Sequence, residues 1–170
     1  MSELPSLSVL DDELNYDPST GIIRWNRAKQ GRSADLIAGY ELSTGYRRIH
    51  ICGRSYQAGR IAFAMFHRRD ISNGMEIDHV DGDPSNNAII NLREATRLQN
   101  SRNRRSTRGY SKIASRSRKN PFQVRIKYDG KIHNIGSFST EEAARAAYEV
   151  AANKHFGYFS PSLAPELVKP

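Results

Sequence analysis

The stretch EIDHVDGDPSNNAIINLREATRLQN, residues 76–100, decides how the chain reads. Asp78 and His79 close a short run with apolar neighbours. A turn dense in Gly, Asp and Asn follows over 81–87, and the chain returns through Ile89-Ile90-Asn91-Leu92-Arg93 as a second strand. Thr96 with Gln99 three residues on is a capping-box pattern, so a helix is expected to start near Thr96 and to carry Asn100 close to its first turn. Strand, loop, strand and helix in that order gather Asp78, His79, Asn91 and Asn100. The set is a hard oxygen ligand, an imidazole, an amide and a second oxygen ligand about one point.

Two plainer readings compete. A turn rich in Asp, Asn and Gly is most often a solvated loop. A calcium loop needs oxygen ligands at alternate positions and Gly at the sixth. Val80 and Asp83 stand where the second ligand and that Gly belong, which excludes it.

With these residues in place, the segment from about 56 to 105 resembles the ββα-metal motif of HNH nucleases, in the form found in phage and intron homing endonucleases. The resemblance implies His79 and Asn91 as the catalytic residues, His79 as general base and Asn91 orienting the strand that bears it. It also implies Asp78 and Asn100 as ligands of one divalent metal. One departure is local: relatives often carry His-Arg ahead of the apolar run that leads into the motif, and this chain has Gly59-Arg60. A supporting role for that His is absent.

The residue types suit phosphodiester hydrolysis, which needs a deprotonated water, an in-line approach and a cation at the departing oxygen. Imidazole ionises at roughly 6.5 when unperturbed, close to the working pH of a general base. Asp and Asn oxygens favour Mg2+ (or Mn2+) over zinc, and an ion with few protein ligands leaves room for phosphate. Cys52 is the only cysteine, so no four-cysteine zinc site forms and the zinc-bearing variants of the motif do not apply.

Composition sets the wider frame. The 170 residues leave room for one domain or two small ones, and a net charge of +8 with pI near 9.8 points to an acidic partner. A single Cys speaks against a disulfide scaffold and fits a reducing compartment. The beginning, MSELPSLSVLDDEL, is acidic without an apolar centre, so no signal peptide is expected there. No apolar run approaches the ~20 residues that span a membrane. The expectation is an intracellular, cytoplasmic protein, and the resemblance implies a phage-encoded one acting in a bacterial host.

Charge is unevenly spread. Residues 1–105 carry a net +2 and residues 106–170 a net +6, while 101–138 alone hold eleven Lys or Arg against Asp129. Basic runs are commonly just solvated faces. Here Tyr110, Phe122 and Tyr128 interleave with the charge on expected strands, which favours nucleic acid.

Taken in order, Leu7 to Leu14 reads as a short helix, 15–21 as a turn and 22–25 as a strand. More β structure is expected at 38–40 and 45–51. Trp25 reads as core and Cys52 as an inert small apolar residue. RIAFAMF at 60–66 reads as a helix that delivers Ile61, Ala64 and Met65 or Phe66 to the core. His50 and His67 lack a partner pattern and read as structural or surface residues.

Residues 106–109 begin a polar, basic linker. From 122 to 128 apolar and polar residues alternate, the period of a half-buried strand. Asp129-Gly130 is a two-residue hairpin turn that pairs Lys127 with Ile132 and Arg125 with Asn134 on one face. The other face is expected to gather Val124, Ile126, Tyr128 and Ile135. Ser139 with Glu142 forms a second capping box, opening a helix to about Lys154 with Ala144, Ala147, Tyr148 and Ala151 as its apolar stripe.

On Arg108-Gly109-Tyr110, the strand 122–127, Ile135-Gly136-Ser137-Phe138 and Glu142 to Tyr148, this half resembles the APETALA-two/ethylene-response-factor (AP-two/ERF) DNA-binding domain. The resemblance implies a sheet that enters the major groove with Gln123, Arg125, Lys127 and Asn134 facing bases or phosphates. Arg102, Arg104, Arg105, Arg108, Arg116, Arg118 and Lys119 complete the expected DNA-binding set. Arg125, Asn134 and Ile132 stand where plant relatives carry Glu, Trp and Arg, so their target sequence does not transfer.

The fold expected is α+β: a β-rich segment with the ββα-metal motif, then a three-stranded antiparallel sheet packed on one helix. The division expected is 1–105 for the nuclease and 106–170 for the DNA-binding domain. The function expected is a metal-dependent endonuclease on double-stranded DNA, nicking, as a monomer or weak dimer. The alternatives are a non-catalytic DNA-binding regulator, a junction-selective nuclease and an RNA-binding module.

Overall fold

The computed structural model describes residues 3–28, 33–102, 109–113 and 119–160. It is an α+β chain of two units, residues 1–97 and 98–170. The expected linker at 106–109 falls almost wholly outside the described residues.

In the first unit, helix α1 (Leu7–Glu13) runs into a hairpin of β1 (Leu14–Tyr16) and β2 (Ile23–Trp25). The turn forms because Asp17 caps it: its carboxylate accepts from Ser19 N and Oγ and from Thr20 Oγ1, which holds it at about 2, well below the usual range. A three-stranded antiparallel sheet follows in the order β3 (Tyr40–Glu41), β4 (Arg47–Ile51), β5 (Arg54–Gln57). Cys52 lies at the exposed β4–β5 turn with φ +50°, so it is a turn residue and not packed as an apolar one.

Helix α2 (Ala58–His67) is the organiser of this unit. Ile61, Ala62, Phe63, Ala64 and Met65 are buried while Phe66 stays exposed. The helix packs on α1, β1, β4 and β5, and its core partners include Leu10, Leu14, Ile23, Trp25 and Ile49. Each fully buried Leu or Ile of this cluster contributes roughly 1.5–3 kcal/mol. The helix ends on Arg68 in the left-handed region, where glycine is usual; its guanidinium grips Asp11 with two bonds of 2.8 and 2.7 Å.

The same helix packs against the hairpin of β6 (Glu76–His79) and β7 (Leu92–Ala95). Their register pairs Asp78 with Arg93 and His79 with Leu92. Between them Ile89–Asn91 is a single 3-10 turn, so the return strand starts at Leu92 rather than at Ile89. The reason is Asn91: its amide closes back onto the loop, and an extended backbone through 89–91 would carry it away. Helix α3 (Arg97–Arg102) begins directly after Thr96, where the capping box places it.

The second unit is a three-stranded antiparallel sheet, β10 (Lys131–Phe138), β9 (Phe122–Tyr128), β8 (Tyr110–Lys112), packed on α4 (Glu141–Phe156). Asp129 (φ +49°) and Gly130 (φ +74°) make the hairpin turn, and Arg125 pairs with Asn134 and Lys127 with Ile132. The register shifts between Asn134 and Gly136, and Ile135 therefore emerges exposed instead of joining Val124 and Ile126 inside. The α4 cap is Thr140, whose Oγ1 accepts from Ala143 N at 3.2 Å; the helix starts one residue later than Ser139 suggests. Ala144, Ala151 and Ala152 are buried, and small side chains let helix and sheet approach closely. At Gly109 a Cβ would fall 2.2 Å from the Tyr148 ring, so this strand entrance accepts only glycine.

The segment entering β6 is tied down by Arg69, which holds Glu94 of β7 through bonds of 2.9 and 2.7 Å, while Ser72 N adds a third. Arg69 is the main reason the Glu94 carboxyl sits at about 2 instead of 4.5. A depressed carboxyl stabilises the fold above its unfolded value and loses that contribution as pH falls through its folded one. Glu94→Gln is expected to cost roughly 1 kcal/mol near neutral pH, solvent screening of Arg69 included. In urea melts the difference from the unaltered chain should vanish between pH 4.5 and about 2.

Candidate active site

His79 ends β6 and is 7% exposed, beneath the loop that β6 and β7 enclose. Its Nε2 lies 3.1 Å from Oδ1 of Asn87. The orientation of that amide is fixed from its other end: Asn87 Nδ2 donates to the Ser85 carbonyl at 3.1 Å, and a carbonyl only accepts. Oδ1 therefore faces the imidazole and accepts from it. Neutral His79 then carries its proton on Nε2 and its basic lone pair on Nδ1. Burial lowers the His79 pKa, against the Asn87 bond and the nearby carboxylates of Asp81, Asp78 and Asp83. Near neutral pH the ring is uncharged, as a proton acceptor must be. Tyr46 meets it edge-on at 5.9 Å between centroids.

Asn87 is braced by elements far away in sequence. Tyr16 of β1 donates its hydroxyl to the Asn87 carbonyl at 2.8 Å. Pro18 O accepts from Ile89 N at 2.9 Å. Gly21 lies so close that a Cβ there would sit 2.3 Å from the Asn87 carbonyl carbon. The N-terminal hairpin is thus the floor of the site loop.

Asn91 is completely buried and spends its side chain on the loop. Its Oδ1 accepts from Asp81 N at 2.9 Å, and its Nδ2 donates to Asp81 Oδ1 (3.0 Å) and to the Asn86 carbonyl (2.7 Å). Its carbonyl accepts from Val80 N, directly after His79. The Asp and Asn residues of the turn satisfy one another: Asp83 N donates to Asp81 Oδ1, Ser85 to Asp83 Oδ1, and Asn86 Nδ2 to Asp81 Oδ2. That network makes the polar turn rigid, which a merely solvated loop would not be.

Asp78 is 3% exposed and faces Arg93 across the hairpin, with Nε at 2.8 Å and Nη2 at 2.7 Å from Oδ2. A buried carboxylate needs such a counter-charge. The donor chemistry fits a hard cation, since a carboxylate is the oxygen donor that magnesium and manganese take. Among the described residues no cluster of three or more His, Cys, Asp or Glu gathers at a metal-holding distance, so a cation here would rely on few protein ligands and on amide oxygen. Asn100 stands half-buried on α3, at the start of the second unit.

In the second unit Arg125 and Lys127 project from the exposed face of β9, with Asn134 exposed opposite Arg125. Arg125 Nη2 donates to Gln123 Oε1 at 2.7 Å, so Gln123 shares that face. Arg102 is half-buried with its guanidinium 4.5 Å above the Phe156 ring, and Lys119 is exposed. Arg104, Arg105, Arg108, Arg116 and Arg118 lie outside the described residues. Of the interleaved aromatics, Tyr110 meets Phe122 edge-on and Tyr128 is stacked between His133 and His155, so all three have partners inside the unit.

Sequence reading missed Asn87 and Arg93. Both stand within the quoted stretch, yet only the hairpin register assigns Arg93 to Asp78, and only the loop path brings Asn87 to His79. Arg93→Met leaves a buried carboxylate uncompensated and is expected to lower stability by about 3 kcal/mol in urea melts near neutral pH. Double replacement, Asp78→Asn with Arg93→Met, should recover part of that loss.

Comparison with known proteins places these features. Residues 56–102 match the family model described as HNH endonuclease. An uncharacterized HNH endonuclease of Acanthamoeba polyphaga mimivirus is 32% identical over 117 residues, 69% of this chain and 62% of the relative; the chain thus spans under two thirds of that protein's length. A solved structure titled as DNA binding and cleavage by the HNH homing endonuclease I-HmuI aligns at a TM-score of 0.43 and 23% identity, over 60% of this chain and 57% of that one. The stretch matched by the family model, residues 56–102, is the one that forms α2, the β6–β7 hairpin and α3.

Proposed function

We propose that the chain is a metal-dependent DNA endonuclease that hydrolyses one phosphodiester bond per encounter, nicking a strand of double-stranded DNA. The observation that carries this reading is His79: a buried imidazole held at Nε2 by Asn87, with burial lowering its pKa, inside a segment that matches the HNH endonuclease family. The reading also draws on the relative from mimivirus, itself described as an HNH endonuclease.

In the proposed reaction His79 Nδ1 takes a proton from a water as its oxygen attacks phosphorus. The P–O3′ bond breaks, the departing oxygen takes a proton from a solvent water to become a 3′-hydroxyl, and the other fragment keeps a 5′-phosphate. A divalent cation, Mg2+ or Mn2+, would be held by Asp78 and Asn100 and would supply charge neutralisation for the phosphodiester. Arg93 grips the Asp78 carboxylate and fixes its direction. Asn91 acts by position: it holds the loop so that the backbone following His79 has one conformation.

The second unit, within the proposed division 1–105 and 106–170, is proposed as an AP-two/ERF-like DNA-binding domain. Its support is the three-stranded sheet on one helix and the basic, exposed face of β9. Gln123, Arg125, Lys127 and Asn134 would meet the major groove, with the other basic residues on phosphates. A site of a few residues around His79 reads little sequence, so a separate reader supplies affinity and register.

His79→Ala is expected to lower the nicking rate by roughly 100-fold or more while DNA affinity stays within about twofold. A rate equal to that of the unaltered chain would remove His79 as the base. Arg125→Ala with Lys127→Ala should weaken binding to all DNAs and reduce the slope of log K against log salt by about one to two. An unchanged slope would move the DNA contact off this face.

A further inference from the structure

We infer that Ile132 is a specificity residue of the second unit: it meets the 5-methyl group of a thymine in the major groove. The inference rests on the reading of this unit as a DNA-binding sheet, and deepens it by naming a base and the residue that meets it. Ile132 is 68% exposed and stands apart from the small core of Ile126, Ala151 and Ala152. A β-branched residue suits a strand, and a single exposed apolar side chain is ordinary. Its company gives it meaning. The register sets Ile132 opposite Lys127 and Asn134 opposite Arg125, and cross-strand partners share a face. That face is the outward one, because Val124 and Ile126, which alternate with those β9 residues, are buried. Gln123 steadies Arg125 there, its Oε1 accepting from Nη2 at 2.7 Å. An uncovered aliphatic side chain thus lies within a basic and amide-bearing face.

The chemistry of the groove completes the match. Every base pair shows donors and acceptors on its major-groove edge, and thymine alone adds an apolar group, the 5-methyl. Arginine suits guanine and asparagine suits adenine, each through two hydrogen bonds; an aliphatic side chain gains only from apolar contact. Against a phosphate or a G·C edge, Ile132 would strip water from polar groups and leave them without a partner. Against a thymine methyl it buries apolar surface on apolar surface. Spacing agrees. Residues two apart on a strand, as Ile132 and Asn134 are, lie about 6.8 Å from each other. Successive nucleotides of a DNA strand are about 3.4 Å apart along the axis. A strand that follows the groove therefore sets the thymine about two base pairs from the base that Asn134 meets.

The test is a binding measurement and needs no cleavage. Full-length protein in EDTA selects duplexes from a randomised pool, and affinities for the selected site are read by fluorescence anisotropy. Replacing one thymine by uracil removes the methyl and leaves the pairing intact. One thymine should exist whose replacement weakens binding about fourfold, the worth of one buried methyl. At that position 5-methylcytosine, paired with guanine, should bind better than cytosine. In Ile132→Ala the thymine and uracil duplexes should bind equally, with the slope of log K against log salt unchanged, since no phosphate contact is lost. Ile132→Val should keep the discrimination. Circular dichroism checks that the variants fold.

The inference is overturned if no change of thymine to uracil alters affinity, if Ile132→Ala discriminates as the unaltered chain does, or if the pool yields no preferred sequence. Arg125→Ala with Lys127→Ala separates it from the reading beneath. Should that variant lose affinity and salt slope while uracil is tolerated everywhere, the inference alone falls and the sheet remains the DNA contact. Should it bind as the unaltered chain does, the face is not the contact and both fall.

Discussion

The first unit is built to hold one hydrogen bond, from His79 Nε2 to Asn87 Oδ1, in a place where water does not compete. A buried histidine is costly when charged, so it stays neutral, and a neutral imidazole needs a defined tautomer to be of use. The β6–β7 hairpin supplies His79, and the loop within it supplies Asn87. Neither would hold position alone. Asn91 and Asp81 lock the loop from inside; Tyr16, Pro18 and Gly21 hold it from the N-terminal hairpin; α2 offers Gly59 as the gap into which the pair closes. A stretch of chain that looks remote from the site is therefore part of its scaffold.

The Asp78–Arg93 pair follows a related logic one residue earlier. A carboxylate this deeply buried is tolerated because Arg93 faces it across the hairpin, and the antiparallel register makes that meeting unavoidable. The second unit rests on different physics. Its interior is small: Ile126, Ala151 and Ala152 with Tyr128, Tyr148 and Phe156 around them. Its outward face is polar and basic, and the alternation along β9 separates the two faces residue by residue. The only Lys or Arg on α4 are Arg145 and Lys154.

Much of this was legible in the residues. The alternation at 122–128 and the Asp129-Gly130 turn gave the hairpin with its pairing, because period and turn chemistry together leave one register. RIAFAMF gave α2, and the buried Trp25 was readable as core. Other features escaped for physical reasons. Ile135 was assigned inward by simple alternation, and one bulge reversed it. The 3-10 turn at 89–91 was read as strand because Ile-Ile favours extended backbone in isolation, while the buried Asn91 amide overrides that preference locally. Cys52 was read by its chemistry although its place in a tight turn is set by Gly53 beside it. Spacing placed Asp78 and His79 on one strand and Asn91 just past the loop that follows, which is where they lie. Asn87 was not visible in this way, since a contact of eight residues across a folded loop has no period to announce it.

The most direct measurement of the central claim is a time course with supercoiled plasmid, the unaltered chain and magnesium, run beside an identical reaction in EDTA. The account expects relaxed circles to accumulate with magnesium alone, before any linear product, each nick carrying a 3′-hydroxyl and a 5′-phosphate. Tight, salt-sensitive binding with plasmid left supercoiled under both conditions would contradict it and would describe a DNA-binding protein whose HNH segment serves as scaffold.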